Sequence, residues 1–477
     1  SSGGGVNLWI AKFASVESIL QYTRQNAAAV VTNTGGAATR LRGLFPYTKF
    51  AAGAQTRQTL GIFDDAAAHY EFRTSTDAGV TWTFVSDFGA GSINTIPDFA
   101  QQGNALILTN GVVAPKLWDG TTLTTAAGPP LAAPTIAEAC AGLLNGNYQV
   151  RVVPIKSDGT RKNSSVTSLL TPLTNRKVTS TWVADADVTV VGYEVYRTTG
   201  SGKIFYFEGV TATRLTVTFT HNTDDLALIE GRALAEYGDA PPTDATFVES
   251  HGERMWYGRT AALPRTWFWS DEGLPFSVYT SSNFFDFTDA ESSSDISTGA
   301  TGNFLGMFVV WLERSIWTVS GTGRVSGAVT EFFRRRTDAQ VGTISHRTVA
   351  RIPKGALYTN ERGDFVTTDQ VTLAYLTPFG DIRLFDGNND VTISTPKKDT
   401  LGTLNYQFRA KAFSVTDTVR AEVTFVFPTG ISGEPNTAIV WNYRFGVWYT
   451  REWPFACAIE TSVTADASVL LAGEPLT

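Results

Sequence analysis

The chain has 477 residues and a formal net charge of −7, with 43% hydrophobic and 17% charged residues. That balance supplies a large core and excludes a disordered chain, and the lack of a basic excess excludes phosphate-driven nucleic-acid binding by the chain as a whole. Aromatics reach 12% beside 43 glycines; aromatic residues suit pleated surfaces and glycines suit tight turns, so the expected class is all-β.

In chain order, residues 1–43 read as an N-terminal lead-in with one helix-like stretch near Val16 to Val31. Residues 44–130 then hold recurring strand pairs. Among them stands Ser75-Thr76-Asp77-Ala78-Gly79-Val80-Thr81-Trp82. This fits Ser-x-Asp-x-Gly-x-Thr-Trp and resembles the Asp-box of sialidases and other bladed β-proteins. The pattern has a mechanical rationale. Ser75 and Asp77 can satisfy turn amides, Gly79 can take a strained backbone angle, and Trp82 can pack the hairpin on its neighbour, with Thr81 completing the motif. The expected role is structural. Further on, KLWDGTTLTT (Lys116 to Thr125) puts Asp119-Gly120 at a hairpin turn, where both central residues are candidates for positive φ.

Two Pro-rich punctuators, GPPLAAPT (Gly128 to Thr135) and GDAPPTDA (Gly238 to Ala245), bracket residues 131–242 as an inserted domain. Within it Tyr148, Val150 and Val152 share one strand face, and Asp158-Gly159 supplies a turn. Strands are expected over Gly192 to Arg197, Ile204 to Val210 and Arg214 to Phe219. The order of these pieces resembles a fibronectin type III or other Ig-like sandwich, and the length of about 110 residues agrees. A Cys-Trp-Cys core is missing, which rules out the antibody type.

Residues 243–477 return to the texture of the first part. RLFDGNNDVTI (Arg383 to Ile393) repeats the basic-Leu-aromatic-Asp-Gly device with its own turn at Asp386-Gly387. Strand pairs over both flanks give roughly five to seven units with a period of about 40–50 residues, as in propeller blades. The expected architecture is a β-propeller of about six blades interrupted by the Ig-like sandwich.

Chemistry is sparse. Cys140 and Cys457 form no disulfide framework, and His69, His221, His251 and His346 have no metal-motif spacing. Arg334, Arg335 and Arg336 lie on one strand, whose alternating faces keep three neighbours out of a single pocket. Paired glycosidase carboxylates could be drawn from Asp271, Glu272, Asp286, Asp289 and Glu291, but a Ser-rich acidic loop is more often solvated. Gly321 to Gly323 reads as a turn. No GxSxG, Walker or HExxH pattern occurs. The expectation is a non-enzyme with no catalytic residues, no cofactor and no metal. No bilayer-spanning run and no charged-then-apolar leader is read, so a soluble chain from a reducing compartment, without stable membrane insertion, is expected.

The ordered pieces resemble the β-propeller nozzle, or tail-hub, proteins of short-tailed bacteriophages. They are a Gly-rich start before RLRGLFPY (Arg40 to Tyr47), NALILTNGVVAPKLWDGTTL (Asn104 to Leu123), VESHGERMWYGRTAALPRTWFWSDEGLPFSV (Val248 to Val278), FLGMFVVWLERSIWTVSGTG (Phe304 to Gly323), VGTISHRTVARIPKGALYTNERGDFV (Val341 to Val366) and WNYRFGVWYTREW (Trp441 to Trp453). The resemblance implies a virion tail protein made in the host cytoplasm. It implies a homohexameric ring below the portal and adaptor, contacts with tail fibres or a needle, and double-stranded DNA passing through the lumen without sequence-specific binding. Two other readings compete: a sugar-binding or sugar-cleaving propeller, sialidase-like or a depolymerase, and a surface adhesion protein.

Overall fold

A computed structural model describes residues 8–11, 22–24, 38–51, 54–65, 70–77, 79–88, 95–125, 131–157, 159, 161–162, 164–165, 168–169, 172–202, 204–234, 240–278, 283–288, 294–326, 329–339, 341–452, 457–464 and 467–473. His69, Asp158, Asp289 and Glu291 lie outside the described residues, as do residues 128–130 and most of 16–31. The chain divides into a first unit (residues 1–125, 242–275 and 284–477) and a second (residues 126–241 and 276–283).

Almost every element is a strand. In the first unit β1 (Leu8–Ala11) and β2 (Tyr22–Arg24) come first, so the described part of the expected helical stretch is extended chain. Sheet I follows as a meander of β3 (Ala38–Ala51), β4 (Ala54–Asp65), β5 (Tyr70–Ser75) and β6 (Thr83–Asp87). Sheet II repeats it with β7 (Asp98–Gln102), β8 (Ala105–Thr109), β9 (Lys116–Trp118) and β10 (Leu123–Thr125).

The second unit comes next in sequence. Its strands are β11 (Thr135–Gly146), β12 (Gln149–Lys156), β13 (Ser168–Leu169), β14 (Leu173–Thr181), β15 (Val190–Thr198), β16 (Phe205–Val210) and β17 (Thr218–His221), followed by the short helix α1 (Asp225–Leu228). They form two antiparallel sheets, ordered β11-β14-β17 and β13-β12-β15-β16. Val150, Val152, Tyr193 and Val195 of the second sheet meet Ile136 and Phe219 of the first in one core. The strand expected at Arg214 begins only at Thr218, because residues 213–216 close a turn through the Thr216 N–H donating to the Thr213 carbonyl (3.1 Å).

Back in the first unit, sheet III holds β18 (Phe247–His251), β19 (Arg254–Gly258), β20 (Thr266–Asp271) and the start of β21 (Leu274–Val278), with β22 (Phe284–Asp286) also pairing with β20. Sheet IV is β23 (Ser297–Phe304), β24 (Met307–Leu312), β25 (Ile316–Ser326) and β26 (Val329–Arg336). A 3-10 turn, His346–Thr348, leads into β27 (Ala350–Ile352). The hairpin β28 (Leu357–Thr359) and β29 (Phe365–Thr367) comes before β30 (Thr372–Leu376), β31 (Ile382–Phe385) and β32 (Asp390–Thr392), which complete sheet V with β27. After the short helix α2 (Lys398–Leu401), sheet VI contains β33 (Phe413–Asp417), β34 (Glu422–Phe427), β35 (Thr437–Asn442) and β36 (Val447–Glu452). Sheet VII joins both ends of the chain: β37 (Cys457–Thr464) and β38 (Ala467–Gly473) continue into β1 and β2. Leu8 to Ala11 run antiparallel to Leu470 to Gly473.

These strands read as unbroken apolar runs because both of their faces are buried. On β24, Phe308, Val310 and Leu312 enter the core shared with sheet III, while Val309 and Trp311 enter the core shared with sheet V. The period of two along a strand sends alternate side chains to opposite neighbours. Leu373 and Tyr375 of β30 likewise face sheet IV, and Ala374 and Leu376 face sheet VI. Each fully buried Leu, Val or Phe is worth about 1.5–3 kcal/mol, so a sheet flanked on both sides gains twice from the same backbone.

The first strands are also neighbours in order. β3 lies beside β7, β7 beside β18, β18 beside β23, β27 beside β33, β33 beside β37, and β37 beside β3. The turn at His346–Thr348 packs on β23, β30 and β33 and bridges the remaining step. The order of neighbours returns to its start. Among the described residues there are seven such sheets where about six units were expected. The extra one is sheet VII, and residues 1–43, read as a lead-in, contribute two of its strands.

Candidate functional site

The Ser75–Trp82 stretch is the hairpin turn between the third and fourth strands of sheet I. Ser75 Oγ accepts the Gly79 N–H (2.8 Å) and donates to Asp77 Oδ1 (2.6 Å). Asp77 in turn accepts the Thr81 N–H (2.9 Å) and the Thr81 hydroxyl (2.6 Å). Gly79 sits at φ +90°, a backbone angle that a Cβ would strain. Trp82 donates its indole N–H to the Gly79 carbonyl (3.1 Å) and packs edge-on against Phe63, ring centres 4.9 Å apart. Partial burial alone would raise the Asp77 carboxyl, but the bonds from Ser75 and Thr81 outweigh it and hold the group below its ordinary range. Every polar group of the motif is spent on the turn. Asp77→Ala is expected to cost about 1 kcal/mol in denaturant unfolding, the worth of its hydrogen bonds at an exposed turn.

The two Asp-Gly devices occupy the same place in their sheets, between the third and fourth strands of II and V. Asp119 Oδ1 accepts the N–H groups of Thr121 (2.8 Å) and Thr122 (2.7 Å), and Asp386 Oδ1 those of Asn388 (2.8 Å) and Asn389 (2.7 Å). Only one residue of each turn has positive φ, Gly120 at +93° and Gly387 at +110°. The expectation of two such residues is corrected: the aspartate stays in ordinary backbone and works through its side chain, as an Asx turn.

The other candidates are dispersed. Arg334 donates to the Asp286 carbonyl, while Arg335 donates to Asn388 Oδ1 (2.7 Å). Asp286 faces Arg265 (3.6 Å), and Glu272 faces Arg254 (3.9 Å). Gly321 and Gly323 lie within β25. His251 pairs with Asn303 (3.0 Å), and Cys140 is exposed on β11. Among the described residues no group of three or more His, Cys, Asp or Glu could hold a metal ion, and no helix is long and apolar enough to cross a membrane.

Two constellations are not legible from motif spacing. In the second unit, Ser180 of β14, His221 of β17 and Glu208 of β16 form a chain with Oγ···Nε2 at 2.8 Å and Nδ1···Oε2 at 2.5 Å. The order mimics a nucleophile, base and acid. Ser180 and His221 are fully buried, however, and Arg197 also holds Glu208 (3.1 Å). Burial alone would raise Glu208; the bond from His221 and the charge of Arg197 hold it below its ordinary value. No substrate reaches a fully enclosed hydroxyl, so the chain is a core network.

In the first unit the initial strands converge on a polar cluster. Asp98 opens β7, Glu249 lies in β18, His346 heads the 3-10 turn, and Arg351 lies in β27. Asp98 Oδ1 accepts from His346 Nε2 (3.0 Å) and the Phe99 N–H (3.1 Å), and Oδ2 accepts the Val248 N–H (3.0 Å). His346 Nδ1 donates to the Thr298 carbonyl (3.0 Å). Burial alone would lower His346, but Asp98, that carbonyl and Glu249 more than offset it and keep its pKa above the ordinary histidine value. Glu249 is half-buried; desolvation first, and the Asp98 charge second, push it up to about 7. Beside the cluster lies a cavity of about 220 Å³ whose wall includes Phe45, Phe99, Asp98, His346, Arg347 and Phe413. Two carboxyl groups side by side, one of them with a raised pKa, is the arrangement used for acid–base work. Here, however, both Asp98 oxygens and both His346 nitrogens are already engaged.

Neither a protein-family model nor a curated protein matches the chain. Among solved structures it is similar to the computationally designed Ika8 protein, at a TM-score of 0.34 and 11% identity over 92% of this chain and 97% of that one. A superposition that loose carries no argument about fold or role.

Proposed function

We propose that the first unit is a seven-bladed β-propeller, that the second is an Ig-like sandwich of the fibronectin type III kind, and that the chain is a non-enzymatic structural component of a bacteriophage tail. The observation that carries the architecture is the cyclic order of first strands, with sheet VII sharing strands from both termini. Such radial repetition protects strand edges, and shared terminal strands resist opening of the ring. For the second unit, the order β13-β12-β15-β16 corresponds to the C′-C-F-G sheet of that fold, and β11-β14 to its B-E pair. The final strand β17 departs from the pattern by flanking β14.

The tail role rests on the ordered motifs of the sequence. In that role the chain assembles as a homohexameric nozzle below the portal and adaptor, meets tail fibres or a needle, and lets double-stranded DNA pass without sequence-specific binding. A net charge of −7 suits a conduit that must not hold phosphates. Mass photometry of the purified chain, alone and with a portal–adaptor complex, should find a hexamer that docks. A chain that stays monomeric in both samples contradicts the nozzle.

One observation favours a second reading: Glu249, pushed up to about 7 beside Asp98, would suit a general acid in a carbohydrate-cleaving propeller. Its weakness is that both Asp98 oxygens already accept hydrogen bonds from the protein, two at Oδ1 and one at Oδ2. Polysaccharide cleavage abolished by Glu249→Gln would favour that reading over the structural one.

A further inference from the structure

We propose that Asp98, Glu249 and His346 form a proton-operated latch at the meeting point of the first strands, closed while Glu249 and His346 carry protons and loosened when they lose them. The geometry itself demands the charged histidine. His346 faces an acceptor at each nitrogen, the Asp98 carboxylate and the Thr298 carbonyl, both at 3.0 Å. A neutral imidazole has one N–H and can satisfy only one of them, whereas imidazolium satisfies both. These two bonds tie the turn before β27 to β7 and to β23, so one side chain links three sheets.

The charged neighbours can be taken element by element. β7 brings Asp98, and β18 brings Glu249, whose Oε1 accepts the adjacent Ser250 N–H (3.1 Å). β23 supplies the Thr298 carbonyl and the Gly302 carbonyl, the second of which Arg351 of β27 engages. The turn brings His346 and, turned toward Phe413 of β33, Arg347 (5.5 Å to the ring centre). With both protons present the cluster holds one carboxylate against imidazolium and guanidinium. Without them, two carboxylates crowd a confined space, and one histidine bond is lost.

The sign follows from linkage. Both groups are raised above their unfolded values, so their contribution is full at low pH and is lost as pH rises. The loss for Glu249 falls between about 4.5 and about 7, and that for His346 falls above 6.5. The device rests on the sheet arrangement and does not depend on the tail reading.

The test is thermal unfolding of the full chain from pH 5 to pH 9, for the wild type and for Glu249→Gln and Asp98→Asn. The first-unit transition of the wild type should fall by about 5 °C over that range. Glu249→Gln should flatten the part below pH 7, and Asp98→Asn should flatten the part above it. Wild-type hydrogen exchange, corrected for intrinsic rates, gives an independent readout should a variant fail to fold. Segments 98–102, 247–251 and 344–352 should open about tenfold more at pH 8.5 than at pH 6, one decade per 1.4 kcal/mol of lost protection. PH slopes unchanged in both variants, or equal protection at the two pH values, would overturn the latch.

Discussion

Replacing Trp256 with alanine is expected to destabilise the first unit by about 3–5 kcal/mol, the cost of emptying a large buried site. Trp256 is fully buried in β19 between two sheets. Its ring stacks on Phe308 of sheet IV at 4.3 Å and meets Trp269 and Phe332 at 5.1 and 5.2 Å. These three large rings cannot all close on the vacancy, because each is itself held by a strand with a fixed register. The loss should be read in calorimetry as a lowered first-unit transition, with the second-unit transition left in place. Trp256→Phe should recover part of the loss, since it keeps the stacking on Phe308 and gives up only the outer ring. A change below about 1 kcal/mol would mean that this core is not packed as described.

The converse experiment addresses the second unit. Arg197 of β15 is fully buried and spreads its guanidinium over Glu208 (3.1 Å), Asp225 (2.9 Å) and the carbonyls of Thr198 (3.0 Å) and Thr223 (2.6 Å), while lying over the Tyr148 ring at 4.6 Å. Arg197→Ala strips the buried Glu208 of its guanidinium partner. Removing one side of a buried ion pair costs about 3–5 kcal/mol, most of it the stranded charge. The second-unit transition should fall steeply while the first is unmoved. Because the surviving charge is the source of the loss, adding Glu208→Gln should restore part of the stability. Failure of that second change to restore any would place the cost in lost packing.

Local features were the most readable from sequence. Tight turns announce themselves because one glycine and one short polar side chain solve a local backbone problem, as Ser75, Asp77 and Gly79 do in one turn and Asp119 and Asp386 do beside the glycines of two others. The all-β class was legible for the same reason, through aromatic runs such as Met307 to Leu312. Sheet VII was not: Leu8 to Ala11 pair with Leu470 to Gly473, and no local pattern reports a partner at the other end of the chain. The clusters around His346 and His221 were hidden likewise. Asp98 and His346 stand 248 positions apart and become neighbours only because β7 and the turn before β27 are brought to one centre. Spacing rules see metal and nucleophile motifs on one element; they do not see side chains assembled from separate sheets.

The claim on which the rest depends is that the two ends of the chain close the first unit. Cysteine pairs placed across the terminal strands test it most directly, in a Cys140→Ser, Cys457→Ser background. One variant joins position 10 to 471 and the other 9 to 472, which are cross-strand partners. Adjacent antiparallel pairs alternate between the wider and the closer spacing, so one of the two brings its thiols within disulfide reach. Mild oxidation followed by non-reducing peptide mapping should recover the N-terminal peptide covalently joined to the C-terminal peptide of the same molecule. Thiols that stay free in both variants, or that link only between molecules, would contradict the closed ring.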